Sequence, residues 1–398
     1  MKIILDAMAL GAGYENPRGR TGVFRVVNYL LEGILADASS DLSLIATGFP
    51  KEVELFLRSN NLQKLKYPLF EDRVIQKLNS LMIKYGLRNT PLLSTNLEQL
   101  LKVSDIYHSP YMPIPDAVTK QTKAKSFLTV HDLIPIMYPD YFNSVEKSLV
   151  QVAIESALDS GFFFCVSEST KNDLCNTYKI DPDRVRVTYL AASKSLFYVI
   201  KDDLKIEEVK LKYNIGPEPY FLSLCTLEPR KNIEQTIKSF LAVVEQNSLN
   251  DVKLVLIGSK GWQFDSIFNE INANTNSKSK IVVTGFVDDA DLAYLYNGAM
   301  GFIYPSFYEG FGLPPLEAMQ CGLPVIVSNT SSLPEVVGSA GILVDPKDGD
   351  SLSEAILTLY RNPSLRESFS EKSIAQASKF SWDKFTKETI SGYDLAMS

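Results

Sequence analysis

The chain has 398 residues, enough for two or three ordinary domains, and its 45% apolar and 22% charged content is that of a soluble globular protein. Lys and Arg number 40 against 47 Asp and Glu, a net charge of −7, which argues against a general nucleic-acid binder. The only histidines are His108 and His131, which excludes a His-rich metal site, and the four scattered cysteines form neither a Cys-x-x-Cys pair nor a zinc-finger spacing.

In chain order, Lys2–Asp6 reads as a first strand. It lacks the long apolar stretch and small-residue cleavage site of a signal peptide. Gly22–Leu35 follows as a helix, with Val23, Val26, Val27, Leu30, Leu31 and Ile34 on one side. Apolar runs predict further strands at Leu42–Thr47, Asp105–His108, Ser126–Val130, Gly161–Val166 and Val185–Tyr189. Segment Arg73–Arg88 has an apolar stripe of Val74, Leu78, Leu81 and Tyr85, with basic residues beside it. Its ordinary reading is a helix packed on its own sheet, and its other reading is a helix lying on anionic lipid. No uncharged apolar run approaches the ~18 residues of a transmembrane helix, so the chain is expected to be cytoplasmic, at most peripheral to a membrane. Cys165 closes the run Phe162–Val166, where a buried thiol behaves as a small hydrophobe.

The polar, Lys- and Glu-bearing stretch Ser195–Pro219 predicts a linker. Beyond it the rhythm is cleaner, with strands at Tyr220–Cys225, Lys253–Ile257, Ile281–Thr284, Gly301–Tyr304, Pro324–Val327 and Gly341–Val344. Amphipathic stretches lie between most of them, at Ile233–Glu245, Asp288–Ala299 and Leu313–Cys321. Asn232, with Gln235 three residues on, has the spacing of a capping-box variant. Strand alternating with helix predicts parallel doubly wound sheets, whose ligands bind beyond the carboxyl ends of the strands. The chain therefore reads as two α/β domains facing each other across a cleft.

Two clusters carry the chemistry. The run Tyr304–Met319 goes from strand through a Gly-containing loop into a helix opened by Pro314 and Pro315. Gly310 and Gly312 let backbone N–H groups approach a ligand closely, and a helix start favours phosphate. Glu309 and Glu317 flank this anion site and suit sugar hydroxyls better than the phosphate itself. The second cluster, Thr226–Asn232, places Arg230 and Lys231 at a strand-to-helix junction, where two cations neutralise a departing diphosphate. His131 follows the apolar run Phe127–Val130 and is a candidate site residue. The Asp-x-Asp pairs at Asp181/Asp183, Asp289/Asp291 and Asp348/Asp350 read as turn and capping residues. No Gly-x-Ser-x-Gly elbow supports a hydrolase, and Gly11-Ala12-Gly13 lacks the third glycine of a dinucleotide fingerprint.

The Glu-x7-Glu pair Glu309/Glu317, with Leu227-Glu228-Pro229-Arg230-Lys231-Asn232, resembles glycosyltransferase family 4. The resemblance spans nearly the whole chain. Thr21–Arg25, Val130–Pro135, Val166–Lys171 and Ser331–Val336 look like further family segments, although Phe24 stands where members often have a second glycine. It implies the α/β GT-B fold, with a first Rossmann-like domain over 1–200, a nucleotide-sugar domain over 201–380 and a helix over 381–398 returning to the first. It also implies a retaining hexosyltransferase of cell-surface polysaccharide synthesis, using UDP-glucose or, slightly behind it, GDP-mannose, with a saccharide or lipid-linked saccharide as acceptor. Arg230 and Lys231 would hold the diphosphate, and Glu317 the ribose. Glu309 and the backbone of Gly310, Phe311, Gly312 and Leu313 would hold the sugar and phosphates. His131 would reach the sugar, Gly22 the phosphate, and Gly258, Phe286 and Val287 the base. No metal or other cofactor is expected. Two alternatives stay open: a non-catalytic nucleotide- or carbohydrate-binding protein of this fold, and a nucleotide-sugar epimerase or phosphorylase of related fold.

Overall fold

In the computed structural model, residues 1–16, 22–62, 65, 78, 95–121, 123–141, 144–224, 229–258 and 279–398 are described. Apart from Leu78, segment Arg73–Arg88 lies outside them, as do Leu227 and Glu228. The chain forms two compact units, Met1–Leu190 with Trp382–Ser398, and Ala191–Ser381. The boundary thus falls before the expected linker. That stretch is not a bare linker, because it contains the helix Asp203–Lys212. The sequence conceals this helix because Leu204 and Leu211 are exposed and only Ile206, Val209 and Lys210 are buried in it.

The first unit holds strands β1 (Lys2–Asp6), β2 (Asp41–Ile45), β3 (Ile106–Ser109), β4 (Lys125–Val130), β5 (Phe162–Cys165) and β6 (Val185–Val187). They pair in parallel in the order β2-β1-β3-β4-β5-β6. Each is an apolar run, buried nearly throughout at β1, β3 and β4, as strands covered by helices on both faces must be. In the helix Gly22–Ala36, Val26, Val27, Leu30, Leu31 and Ile34 are buried, as expected from the sequence, and Val23, expected with them, is half-buried at the helix start. Phe24 packs edge-on against Phe56, at 6.2 Å between centroids. A Cβ on Gly13 would lie 2.2 Å from the Phe24 ring, so that glycine makes room for the bulk that Phe24 brings.

The last helix, Trp382–Met397, belongs to this unit. Its buried residues Phe385, Thr386, Thr389, Gly392 and Tyr393 fall on one helical face. Trp382 stacks on Tyr29 at 4.3 Å. Gly33 permits the crossing, since a Cβ there would sit 2.1 Å from Thr386 Oγ1. His108 is fully buried in β3 and bonded through both ring nitrogens, Nδ1 to Tyr393 Oη at 2.6 Å and Nε2 to Thr129 Oγ1 at 2.7 Å. It is a core residue that ties the last helix to the sheet.

Burial, and secondarily the charge of His131, push the His108 imidazole down to about 3. Burial pushes His131 down to about 4, against a hydrogen bond from its own ring to a backbone carbonyl. Both are neutral when folded and basic when unfolded, so the stability they confer is complete above about pH 6.5 and is lost as pH falls through 4 toward 3. Urea unfolding at pH 7, 5.5 and 4.5 is expected to show this decline. A His108→Gln variant, less stable at pH 7, is expected to have a shallower pH slope, and an unchanged slope would contradict the assignment.

The second unit repeats the architecture with β7 (Tyr220–Leu224), β8 (Lys253–Ile257), β9 (Ile281–Gly285), β10 (Gly301–Tyr304), β11 (Val325–Ser328) and β12 (Gly341–Val344). All pairings are parallel, in the order β12-β11-β10-β7-β8-β9. Strand order reverses between β7 and β10, the kind of switch point where open α/β sheets bind ligands.

Candidate active site at the switch point of the second sheet

The segments leaving β7 and β10 meet at this switch point. After β7, Pro229–Lys231 forms one 3₁₀ turn. Lys231 is buried and donates from Nζ to Glu309 Oε1 at 2.6 Å and to Tyr304 Oη at 2.7 Å. Arg230 donates from Nη1 to the Tyr308 carbonyl at 2.7 Å and lies 3.3 Å from Glu309 Oε2. Glu309 itself is 8% exposed. Burial pushes its carboxyl up, but the charges of Lys231 and Arg230 and the Lys231 hydrogen bond outweigh that and hold it at about 2. Two cations and one carboxylate therefore form a cluster of net charge +1.

Asn232 departs from the capping expectation. It is left-handed (φ 57°) and makes no side-chain cap bond. Its Nδ2 instead donates to the carbonyls of Pro305, at 3.1 Å, and Pro346, at 2.7 Å. The residue serves as a strut between loops, because the turn before it leaves its side chain facing the β10 segment rather than its own helix.

The loop after β10 is held in shape by hydroxyls from the segment after β11. Ser331 Oγ accepts from Glu309 N at 3.0 Å, and Ser332 Oγ donates to the carbonyls of Glu309 and Phe311 at 3.0 and 2.7 Å. Thr330 Oγ1 donates to the Phe307 carbonyl at 3.0 Å. The sequence marks Ser331 and Ser332 only as part of a family-like segment, and polar residues after a strand gave no sign of this clamp. Gly312 has φ +107°, a left-handed conformation, and a Cβ there would meet Leu333 Cδ2 at 2.6 Å.

The helix Leu313–Gln320 offers an anion less than helix starts usually do. Pro314 and Pro315 have no N–H, and Leu316 N–H returns to the Gly312 carbonyl at 3.3 Å. An anion here draws on the backbone of Gly312 and Leu313 rather than a full first turn. Phe311 is buried with its ring 5.9 Å from Phe380, so only its backbone is in play. Glu317 is 3% exposed, with Tyr296 Oη 3.4 Å from its Oε2. At the neighbouring strand ends, Gly258 N–H donates to the Gly285 carbonyl at 3.0 Å, Val287 is buried and Phe286 is 51% exposed.

Thus the second unit carries Arg230, Lys231, Gly258, Phe286, Val287, Glu309, Gly310, Phe311, Gly312, Leu313 and Glu317 along one sheet edge, and joins Arg230, Lys231 and Glu309 directly. His131 and Gly22 belong to the first unit. His131 follows β4, and its Nε2–H donates to the Pro110 carbonyl at 2.9 Å, which leaves Nδ1 as the ring's acceptor. Gly22 opens the helix Gly22–Ala36. The three Asp-x-Asp pairs are structural: Asp181 caps the turn at Asp183, Asp348 caps the helix Gly349–Arg361, and Asp291 pairs with Lys212 at 2.5 Å. Among the described residues no group of three or more His, Cys, Asp or Glu is placed to hold a metal ion. No described helix is long and apolar enough to cross a membrane.

Two parallel Rossmann-like sheets, with the last helix returned to the first unit, define the GT-B fold. HepE from Anabaena, solved with UDP and glucose, has the same fold, with a TM-score of 0.72 at 16% identity over the whole of both chains. The protein belongs to the family "Glycosyl transferases group 1", whose pattern matches residues 205–376. It is 35% identical over 291 residues to the O-antigen chain mannosyltransferase B of Escherichia coli, covering 73% of this chain and 74% of that one. It is 30% identical over 273 residues to the serotype-specific mannosyltransferase WbdA of Escherichia coli, spanning 68% of this chain but only 33% of that longer protein.

Proposed function

We propose that the protein is a retaining hexosyltransferase of cell-surface polysaccharide synthesis, moving a hexose from a nucleotide-diphosphate sugar to a saccharide or lipid-linked saccharide. The observation that carries this reading is the Arg230–Lys231–Glu309 cluster at the switch point. Its surplus positive charge suits a diphosphate gaining negative charge as it leaves. Glu309, held at about 2, is too weak a base to take a hydroxyl proton near neutral pH.

Front-face displacement follows from this. The bond from the sugar's C1 to the diphosphate oxygen breaks while a bond from C1 to the acceptor oxygen forms on the same face. The acceptor's proton passes to the departing phosphate oxygen. Arg230 and Lys231 stabilise that oxygen without a metal ion. The second unit binds the donor and the first binds the acceptor, in the cytoplasm or against the inner membrane surface.

The sequence places UDP-glucose slightly ahead of GDP-mannose, and the mannosyltransferase relatives weigh toward GDP-mannose. The test is calorimetric titration of the two donors side by side with EDTA present. Binding of one supports the diphosphate site and names the donor. Failure of both to bind the folded protein overturns the Arg230 and Lys231 roles.

A further inference from the structure

Along the outer edge of the first sheet runs a groove of about 690 Å³, within the range of order 300–1,000 Å³ typical of small-molecule sites. Edge strand β6 lies along it, with the outer side of its backbone facing away from β5. The helices Glu168–Tyr178 and Trp382–Met397 contribute its other lining residues. None of the residues assigned above to the donor site lines this surface, although Glu168 and Lys171 of the family-like segment Val166–Lys171 do.

The lining chemistry narrows the ligand. Lys171, Arg186 and Lys387 are matched by Glu168, Asp183 and Glu388, so net charge selects neither an anion nor a cation. Most of these side chains are polar and exposed, which disfavours a lipid chain. Glu388 is the sharper signal. Its Oε1 lies 3.8 Å from Lys384 Nζ, whereas its Oε2 is buried and accepts no hydrogen bond among the described residues. Burial raises this carboxyl, with Lys384 pulling the other way. With Oε2 shut away, Oε1 is the oxygen left to meet a ligand, and a hydroxyl donor satisfies it without adding charge. Tyr189, half-buried just beyond β6, adds an aromatic face beside these polar groups. A neutral ligand rich in hydroxyls, with apolar C–H faces to lay on a ring, is a saccharide.

We propose that this groove holds a segment of a neutral oligosaccharide or polysaccharide, with Glu388 accepting from its hydroxyls and Tyr189 under a sugar ring. The inference rests on the proposed function for its purpose: an enzyme that grips the chain it extends releases it less often between additions.

The test titrates the full chain with linear mannotetraose and maltotetraose, and separately with GDP and UDP. Wild type is expected to bind at least one tetrasaccharide. Glu388→Ala and Tyr189→Ala are each expected to weaken it about tenfold, roughly the worth of one hydrogen bond, with nucleotide affinity unchanged and Tyr189→Phe retaining binding. Should Glu388→Ala fail to fold, the Tyr189 pair carries the comparison. Tetrasaccharide affinity unmoved by the alanine variants overturns the proposal. So does nucleotide binding by a wild type that ignores both tetrasaccharides, or hydrogen-exchange protection of β6 by an extended peptide but by neither sugar. Tetrasaccharide binding without any nucleotide binding sustains the groove and sinks the donor-site reading instead.

Discussion

Arg230→Ala is expected to lower kcat/KM by roughly 10²–10³, the worth of one donor aimed at developing negative charge in a preorganised site. The fold is expected to survive. Glu309 keeps its 2.6 Å partner Lys231, and the loss falls on a hydrogen bond to the Tyr308 carbonyl, about 1–2 kcal/mol. Arg230→Lys is not expected to rescue turnover, because an ammonium lacks the planar fork that meets carbonyl, carboxylate and phosphate together. Steady-state kinetics beside thermal melts separate the two effects. A folded Arg230→Ala enzyme with most of its activity would remove Arg230 from the mechanism.

Lys231→Ala is expected to damage stability as well as turnover. It leaves the buried Glu309 carboxylate with Arg230, 3.3 Å away, in place of its 2.6 Å partner, a loss toward the lower end of the about 3–5 kcal/mol that removing one partner of a buried pair costs. Without Lys231 but with Arg230 still 3.3 Å away, the carboxyl rises from about 2 toward its ordinary range, so the variant's deficit relative to wild type narrows as pH falls. In wild type, Glu309, held at about 2, contributes stability above about pH 4.5 that is lost as pH falls toward 2. The double variant Lys231→Met with Glu309→Gln removes the Glu309 carboxylate together with Lys231 and leaves Arg230 its bond to the Tyr308 carbonyl. It is expected to recover most of the lost stability and none of the activity. A double variant as unstable as the single one would show that Lys231 supports the fold through Tyr304 rather than Glu309.

Strand periodicity made both sheets legible, because each buried parallel strand is a short apolar run bounded by turn residues. The Arg230–Lys231 and Glu309–Leu313 segments were legible for a related reason: each follows a strand, and the reversal of strand order sets those ends side by side. What stayed hidden was pairing at a distance. Lys231 and Glu309 look from the sequence like two separate ligand contacts, and only the fold shows them bonded to each other. Local rules likewise assign Asn232 to its own helix, although its amide bridges carbonyls of two other loops. His108, to which the sequence assigns no role, is fixed in the core by Tyr393, a residue 285 positions away. The helix Asp203–Lys212 was masked by its exposed leucines, which erase the apolar stripe that a reader looks for.

The membership of Trp382–Ser398 in the first unit bears on how the chain is made. Topologically the second unit, Ala191–Ser381, is an uninterrupted insertion in the first. During synthesis its segments emerge consecutively and can fold as they appear. The first unit must wait, with the places for Phe385, Gly392 and Tyr393 unfilled, until the helix Trp382–Met397 has left the ribosome. The unit begun first is thus completed only after the second has emerged, and a chain-terminating lesion between Ser381 and Tyr393 strikes the fold of the first unit.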